Sequence, residues 1–364
     1  MNNVFLKKSI AAKETVILRP FVYTKPSVRA SVLSEIFLLV PQLLALFATR
    51  SFSSLFVILA AVMASVLSEF VNLKKYRRHH DTLAISIAQG LFTGMFLPET
   101  FPLLAVFCIT FFVFTLVKNA FETFSGSWVN PVAVVVAIAY FTGTQFFPFA
   151  IMTSDFAGSV NIGGSIYQSG VLEPLKSDFS LTPFLNEKVF SFFGISLPTG
   201  YVSLLIDNGS SIPAFRFNAL NIVSSLILFS LDMVSCVLPI SAVAVYLILV
   251  RTVGSFFAGG LFFQGDMLFA LLTGGVLFCV LFVLPWYGTI PYTTGGRIFY
   301  GAVCGFILFV IAGLGSSPAG CIFSVLVANT VSPFIQLLED SRINRHVLLE
   351  LFPEAKSMKE AKNA

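Results

Sequence analysis

Ten apolar runs, each near the length that crosses a bilayer, follow one another along this 364-residue chain and leave few architectures open. They lie near residues 32–49, 53–71, 83–98, 101–117, 131–151, 219–235, 238–256, 268–285, 298–314 and 320–338. A hydrocarbon core about 30 Å thick takes roughly 20 mostly apolar residues per helix, and a backbone amide left unpaired inside it is costly. Each run therefore reads as a helix. Composition closes the soluble alternative: 56% of residues are hydrophobic and 11% charged, against about 25% charged in an ordinary globular chain. The reading is an all-α membrane protein with about ten transmembrane helices.

The basic residues give an orientation, because short cytoplasmic segments hold the excess of Lys and Arg. Lys7, Lys8, Lys13, Arg19, Lys25 and Arg29 precede the first span, and Lys74, Lys75, Arg77 and Arg78 follow the second. Lys118 follows the fourth, Arg297 the eighth, and Arg342 and Arg345 the tenth. With ten spans all of these share one side, so both termini are expected in the cytoplasm. Arg251, near the outer end of the seventh span, fits that topology poorly. The net charge of +4 is small and its carriers sit mostly at helix ends, which implies a lipid bilayer and no nucleic acid as partner. Cys108, Cys236, Cys279, Cys304 and Cys321 fall inside apolar runs without a Cys-x-x-Cys or a nearby His, and read as small apolar residues rather than a metal or redox group. No apolar run precedes the first long span, so a cleaved signal peptide is not expected.

The resulting division is a first five-helix unit with a cytoplasmic N-terminal segment (1–152), an extracytoplasmic loop (153–217), a second five-helix unit (218–340) and a cytoplasmic tail (341–364). The loop is too short for a separate domain and too long for a turn, so a task is expected of it. A shift of 187 residues lays the first, second, third and fifth spans on the sixth, seventh, eighth and tenth, and superposes Pro98 and Pro131 on Pro285 and Pro318. The fourth and ninth spans are offset by about ten residues. Five is an odd number, so the second half must enter the membrane upside down, giving two inverted five-helix repeats with functional sites near the axis between them. The third and eighth spans are short and carry Gly90 and Gly94, and Gly274 and Gly275. Broken helices in corresponding places point to a central pathway; the other reading is that these glycines permit close helix packing.

Several stretches, in order along the chain, resemble one family: the RnfD component of the Rnf electron-transport complex and its relative, the NqrB component of the sodium-pumping NADH:quinone reductase. Val28-Arg29 precedes the first span, and Thr93-Gly94 and Leu97-Pro98 sit in the third. Lys118-Asn119-Ala120-Phe121, Ser125-Gly126 and Val129-Asn130-Pro131 are similar to Lys-x-x-Phe-Gly-Gly and Phe-Asn-Pro. Gly296-Arg297-Ile298-Phe299-Tyr300-Gly301 resembles Gly-Arg-Trp-x-Tyr-Gly, and Asn329 with Pro333 matches the last helix.

The resemblance implies a subunit, not catalytic alone, of a bacterial inner (cytoplasmic) membrane complex that couples electron transfer through flavins to ion translocation. Other membrane and peripheral subunits would be its partners. It implies an FMN joined by a phosphoester to an extracytoplasmic Thr. The nearest match is Thr182 in Phe179-Ser180-Leu181-Thr182-Pro183; the family's acid six positions earlier is Lys176 here, while Asp178 lies four before. Trp128 beside Asn130 is a candidate flavin contact, and a second, non-covalent flavin between helices is left open. Family acids are replaced at Ala214, Ile290 and Ala319, which removes oxygen ligands a cation would use in hydrocarbon. Glu35 and Glu69 remain near the cytoplasmic ends of neighbouring spans, either as interfacial anchors paired with Arg29, Lys74 or Lys75 or as an ion entrance. The alternative function is a small-solute channel or transporter on the same fold.

Overall fold

The computed structural model describes residues 26–72, 80–121, 127–148, 175–194, 196–197, 199–257, 261–315 and 317–351. The basic residues before Pro26, those from Lys74 to Arg78, the Ser125-Gly126 motif, most of the loop ahead of Leu175 and the tail after Leu351 lie outside the described residues. The rest is helical, with no strand among the described residues. The first half holds α1 (Val28–Ala48), α2 (Phe52–Asn72), α3 (His80–Phe96), α4 (Leu103–Phe121) and α5 (Pro131–Thr142). Two helices follow outside it, α6 (Asp178–Lys188) and α7 (Tyr201–Ile206). The second half holds α8 (Asn218–Ser230), α9 (Val237–Leu249), α10 (Met267–Thr273), α11 (Val276–Phe278), α12 (Thr294–Leu308) and α13 (Gly320–Leu351). Helices α9, α11 and α12 each run on into one π-helical turn, at Val250–Gly254, Cys279–Val283 and Phe309–Gly313.

Among the described residues five helical stretches are long and apolar enough to cross a membrane: Val28–Ala48, Phe52–Val71, Val237–Phe257, Thr294–Gly313 and Gly320–Ile343; four shorter apolar helices accompany them. The surface fits that setting, with Phe37, Leu104 and Phe141 each more than 70% exposed, which water would penalise and lipid would not. The chain is a multi-pass membrane protein. Helix α13, with 32 residues, extends about 48 Å at 1.5 Å per residue and runs past the expected end of the tenth span.

Local sequence sets the helix ends. Ser27, Asn130, Asp266 and Thr293 each accept a backbone N–H of the following first turn, satisfying donors that a helix start leaves open. Helices α1 and α8 stop in the same way. Arg50 and Asp232 take left-handed backbone with φ of 58° and 51°, and the next N–H groups reach back from Ser51 to Leu46 and from Met233 to Leu228, each at 3.0 Å. That six-to-one bond is a Schellman turn.

Helices of the two halves pack directly against one another. Ser31 Oγ donates to Met233 O at 3.1 Å, Ser224 Oγ to Leu38 O at 3.5 Å and Gln42 Nε2 to Asn221 Oδ1 at 2.7 Å. Rising numbers on α1 meet falling numbers on α8, so the two run antiparallel. Asn130 at the start of α5 meets Asn329, while Tyr140 and Phe141 near its end meet Phe323, ring centroids 5.4 Å apart. Helices α5 and α13 are therefore antiparallel too. The segment between the halves folds over the end where α1 stops: Arg216 Nη1 donates to Ser51 Oγ at 2.7 Å, Glu99 N to Ser211 O at 3.0 Å and Thr100 Oγ1 to Phe146 O at 2.8 Å. We refer to the Ser51 end and, opposite it, the Ser31 end.

The expected interruption of the third span at Gly90 and Gly94 is absent. Helix α3 runs unbroken through both, and a Cβ on either would lie 2.5 Å from a backbone Cα of α2, at Val62 or Ile58. Their absent side chains admit the neighbouring helix. Gly301 and Gly305 do the same between α12 and α9, where a Cβ would meet Leu238 O at 2.8 Å and Ala242 O at 2.3 Å. The eighth span does break. Helix α10 ends at Thr273, Gly275 takes φ 64°, and α11 restarts at Val276. The fifth run, expected to reach residue 151, stops at Thr142, because Gly143 packs beneath the Phe101 ring, leaving 2.7 Å for a Cβ, before a tight turn over Thr144–Phe146.

Candidate functional site

Four buried polar groups stand out from the apolar packing. The first joins α2, α3 and α4. Lys118 Nζ reaches Glu69 Oε2 at 2.7 Å, Ser86 Oγ at 2.9 Å and Ser68 Oγ at 3.2 Å, and Ser86 Oγ also donates to Glu69 Oε2 at 3.1 Å. The sequence suggested Arg29, Lys74 or Lys75 as partners for Glu69; the described partner is Lys118. Ion pairing with two hydroxyls offsets the cost of holding both charges away from water.

The second is a cavity of about 230 Å³ at the Ser31 end, between the start of α1, the turn after α8 and the start of α12. Glu35, 7% exposed, and Ser31 line it from α1, Asp232 and Ser235 from the turn, and Tyr287 and Arg297 from the second half. Arg297 Nε donates to Pro291 O at 3.0 Å. Glu35 has no hydrogen-bond or ion-pair partner among the described residues. Glu35 and Glu69 thus sit in different surroundings, one facing a cavity and the other neutralised, rather than forming one entrance.

The third group lies between the halves. Asn130, 1% exposed, uses Oδ1 to cap α5 through Val132 N at 2.9 Å and donates Nδ2 to Val283 O at 2.6 Å. Its own N–H donates to the Asn329 side chain at 3.0 Å, which lies 3.0 Å from the Tyr300 hydroxyl. Three of the motifs that carry the resemblance, at Asn130-Pro131, Tyr300 and Asn329, meet here and tie the halves together. Both ends of the Asn130 amide are engaged, so it offers nothing to a flavin. Trp128 is 43% exposed at the same end.

The fourth holds Thr182 at the Ser51 end. Thr182 is 2% exposed, and its hydroxyl donates to Asp178 Oδ1 at 2.5 Å across one turn of α6. Asp178 Oδ2 accepts from Ser203 Oγ at 2.6 Å, Ser203 N at 2.9 Å and Gly200 N at 3.1 Å. Burial alone would push this carboxyl up, but the bonds from Ser203, Thr182 and the two backbone N–H groups outweigh it and hold Asp178 below the usual carboxylate range. It is therefore charged at neutral pH. A phosphoester on Thr182 would remove the donated proton and set a second negative charge against that carboxylate, a repulsion of about 4 kcal/mol at 4 Å in partly screened surroundings. The folded segment does not fit a covalent FMN at this hydroxyl.

Thr182 and the pair Trp128 and Asn130 lie at opposite ends, so the expected flavin residues do not form one site. Sequence reasoning missed the Asp178–Ser203 knot and the Asn130–Asn329 junction. An Asp four residues before a Thr on a helix was the available signal for the first, and Asn329 gave no signal beyond its place in a motif.

The chain matches the family model described as "NQR2, RnfD, RnfE family" over residues 15–344. It is similar to the D-type subunit of the Na(+)-translocating ferredoxin:NAD(+) oxidoreductase complex of Acetobacterium woodii, 33% identical over 78 residues, covering 21% of this chain and 24% of that one. It is also similar to the D-type subunits of the ion-translocating oxidoreductase complexes of Methanosarcina acetivorans, 29% identical over 39% of this chain and 46% of that one, and of Shewanella denitrificans, 24% identical over 57% and 56%. The chain thus spans between about a quarter and just over half the length of these relatives. With that family match running through both halves and the segment between them, the chain belongs to the NQR2, RnfD, RnfE family.

Proposed function

We propose that the chain is a membrane subunit of an Rnf-type complex that couples electron transfer to ion translocation, built from ten spans in two inverted five-helix repeats. The observation that carries this reading is the antiparallel pairing of α1 with α8 and of α5 with α13. These are the first and fifth helices of each half, and only an upside-down second half brings such equivalents together antiparallel about one axis. Both first helices also end in a Schellman turn, at Arg50 and at Asp232, about five residues off the 187-residue register. The setting is a bacterial inner membrane with the Ser31 end and both termini cytoplasmic, by the rule that places Lys and Arg inside. Its partners are further membrane and peripheral subunits.

The finer expectation of a covalent flavin meets the geometry at Thr182. We propose that the folded chain carries no FMN there, and no electron step is assigned to that hydroxyl. Nor is a second flavin assigned: the lipid-side cavity of about 270 Å³ between α8, α9 and α11 is lined by apolar side chains with Asn221 and Ser225 alone as polar groups, too few donors to hold a flavin phosphate. The solute-channel alternative draws on the same absence and on the broken helix at Gly274 and Gly275.

One purification separates these readings. A tagged chain extracted in mild detergent is expected to bring down several other membrane and peripheral subunits with bound yellow cofactor, while its own 39.7 kDa band shows no flavin fluorescence on a denaturing gel. A fluorescent band that Thr182→Ala abolishes would overturn the assignment at Thr182. A colourless homo-oligomer that conducts a small solute in liposomes would replace the redox-subunit reading with the channel.

A further inference from the structure

The cavity of about 230 Å³ at the Ser31 end holds a buried acid. Glu35 forms its floor, with more than nine-tenths of the residue covered and no hydrogen-bond or ion-pair partner among the described residues. A carboxylate held this way is expensive unless something with positive charge reaches it. Asp232 stands exposed at the mouth of the same space. It occupies the position of the α8 Schellman turn that glycine ordinarily fills, with φ 51°, and Ser31 Oγ fastens that turn to α1 through Met233 O. The mouth is therefore a fixed feature and not a loose loop.

The lining charges decide what fits. Among the described residues, two carboxylates, Glu35 and Asp232, face one guanidinium, Arg297, whose Nε is turned away onto Pro291 O. The surplus is one negative charge. The remaining polar groups are oxygens, the hydroxyls of Ser31, Ser235 and Tyr287. A set of hard oxygen donors suits an alkali or alkaline-earth ion over a soft metal, and among the described residues no three His, Cys, Asp or Glu side chains are gathered as a higher-valent metal would need. One aromatic ring is too few for a cage around an organic ammonium group.

We infer that this cavity binds one small monovalent cation between Glu35 and Asp232. The inference deepens the ion-translocating reading and rests on it only for the direction of the ion, since binding at one end of the first helix of each half places the cation at the mouth of the interface between the repeats. It assigns this role to Glu35 and withdraws it from Glu69, whose charge Lys118 already balances.

The test is a thermal melt of the purified full chain in detergent, titrated with NaCl against choline chloride at constant ionic strength, with LiCl and KCl as further probes. The wild type is expected to gain stability with sodium and Glu35→Gln to lose that response, its apparent affinity falling at least tenfold. Glu187→Gln, on the exposed side of α6, is expected to respond as the wild type does. In choline alone Glu35→Gln is expected to melt at or above the wild type, because it replaces a buried carboxyl that has no hydrogen-bond or ion-pair partner among the described residues. A wild type indifferent to sodium, or a Glu35→Gln chain as responsive as the wild type, would overturn the proposal. Should Glu35→Gln fail to fold, Asp232→Asn at the exposed mouth is the second variant, expected to weaken the response at least threefold, and an unchanged response there is equally fatal. The melt uses the isolated chain, so failure of the chain to assemble with other subunits would sink the complex reading and leave this one standing.

Discussion

Lys118→Met is expected to be strongly destabilising, lowering the thermal midpoint of the purified protein by roughly 3–6 °C. The change leaves Glu69 in place, 8% exposed, with the hydroxyls of Ser86 and Thr82 as donors but no cation. Breaking a buried pair by removing one partner costs about 3–5 kcal/mol, since the orphaned charge keeps its desolvation penalty. Lys118 is about one-fifth exposed, so the lower figure, about 3 kcal/mol, applies, and each kcal/mol moves the midpoint of a chain this size by about 1–2 °C. The pair does not owe its place to stability, however. Replacing both members with neutral residues of like shape, as in Glu69→Gln with Lys118→Met, is expected to restore most of the loss. A double variant as unstable as the single one would show that the charges themselves hold α2, α3 and α4 together.

Two adjacent glycines are expected to behave very differently. Gly275→Val combines two penalties: its left-handed φ of 64° costs a branched residue about 1–2 kcal/mol, and a Cβ there would lie 2.2 Å from the Phe215 ring, which adds about 1–3 kcal/mol of overpacking. A loss of roughly 2–5 kcal/mol, read as thermal midpoint, is expected. Gly274→Ala meets only Val276 Cγ2 at 3.7 Å with ordinary backbone, and is expected to cost under about 1 kcal/mol. Gly275→Ala with Phe215→Ala clears the steric part and leaves the backbone part. Equal losses at the two glycines would mean that the break between α10 and α11 is not held as described here.

The membrane class and the positions of the long apolar helices follow from apolar run length, because a hydrocarbon solvent permits so few backbone solutions. What glycine does within a span was not legible. Gly90 and Gly94 look like breakers but sit on an unbroken helix against Val62 and Ile58, whereas Gly301 and Gly305, which carry no proline nearby, serve the same packing role in the other half. The difference lies in what the neighbouring helix presents, a tertiary fact that a single run of residues does not encode. Among the functional candidates, Glu35 was visible as an acid near a span, yet its cavity depends on Asp232 and Arg297, roughly 200 and 260 positions away in sequence. Thr182 stands out by its place in the loop and the proline that follows it, and the bond that engages its hydroxyl goes to Asp178, the acid out of register with the family motif.

The most direct test of the account is the sidedness of its two ends. In a chain whose five cysteines are replaced by alanine, single cysteines at Lys188 on α6 and at Arg342 on α13 can be probed with a membrane-impermeant maleimide in intact spheroplasts and in lysed ones. The inverted-repeat arrangement predicts that the Lys188 position labels in intact spheroplasts and the Arg342 position only after lysis. Labelling of both positions from the same side would contradict it, and with it the placing of the Glu35 cavity and the Thr182 segment on opposite faces of the membrane.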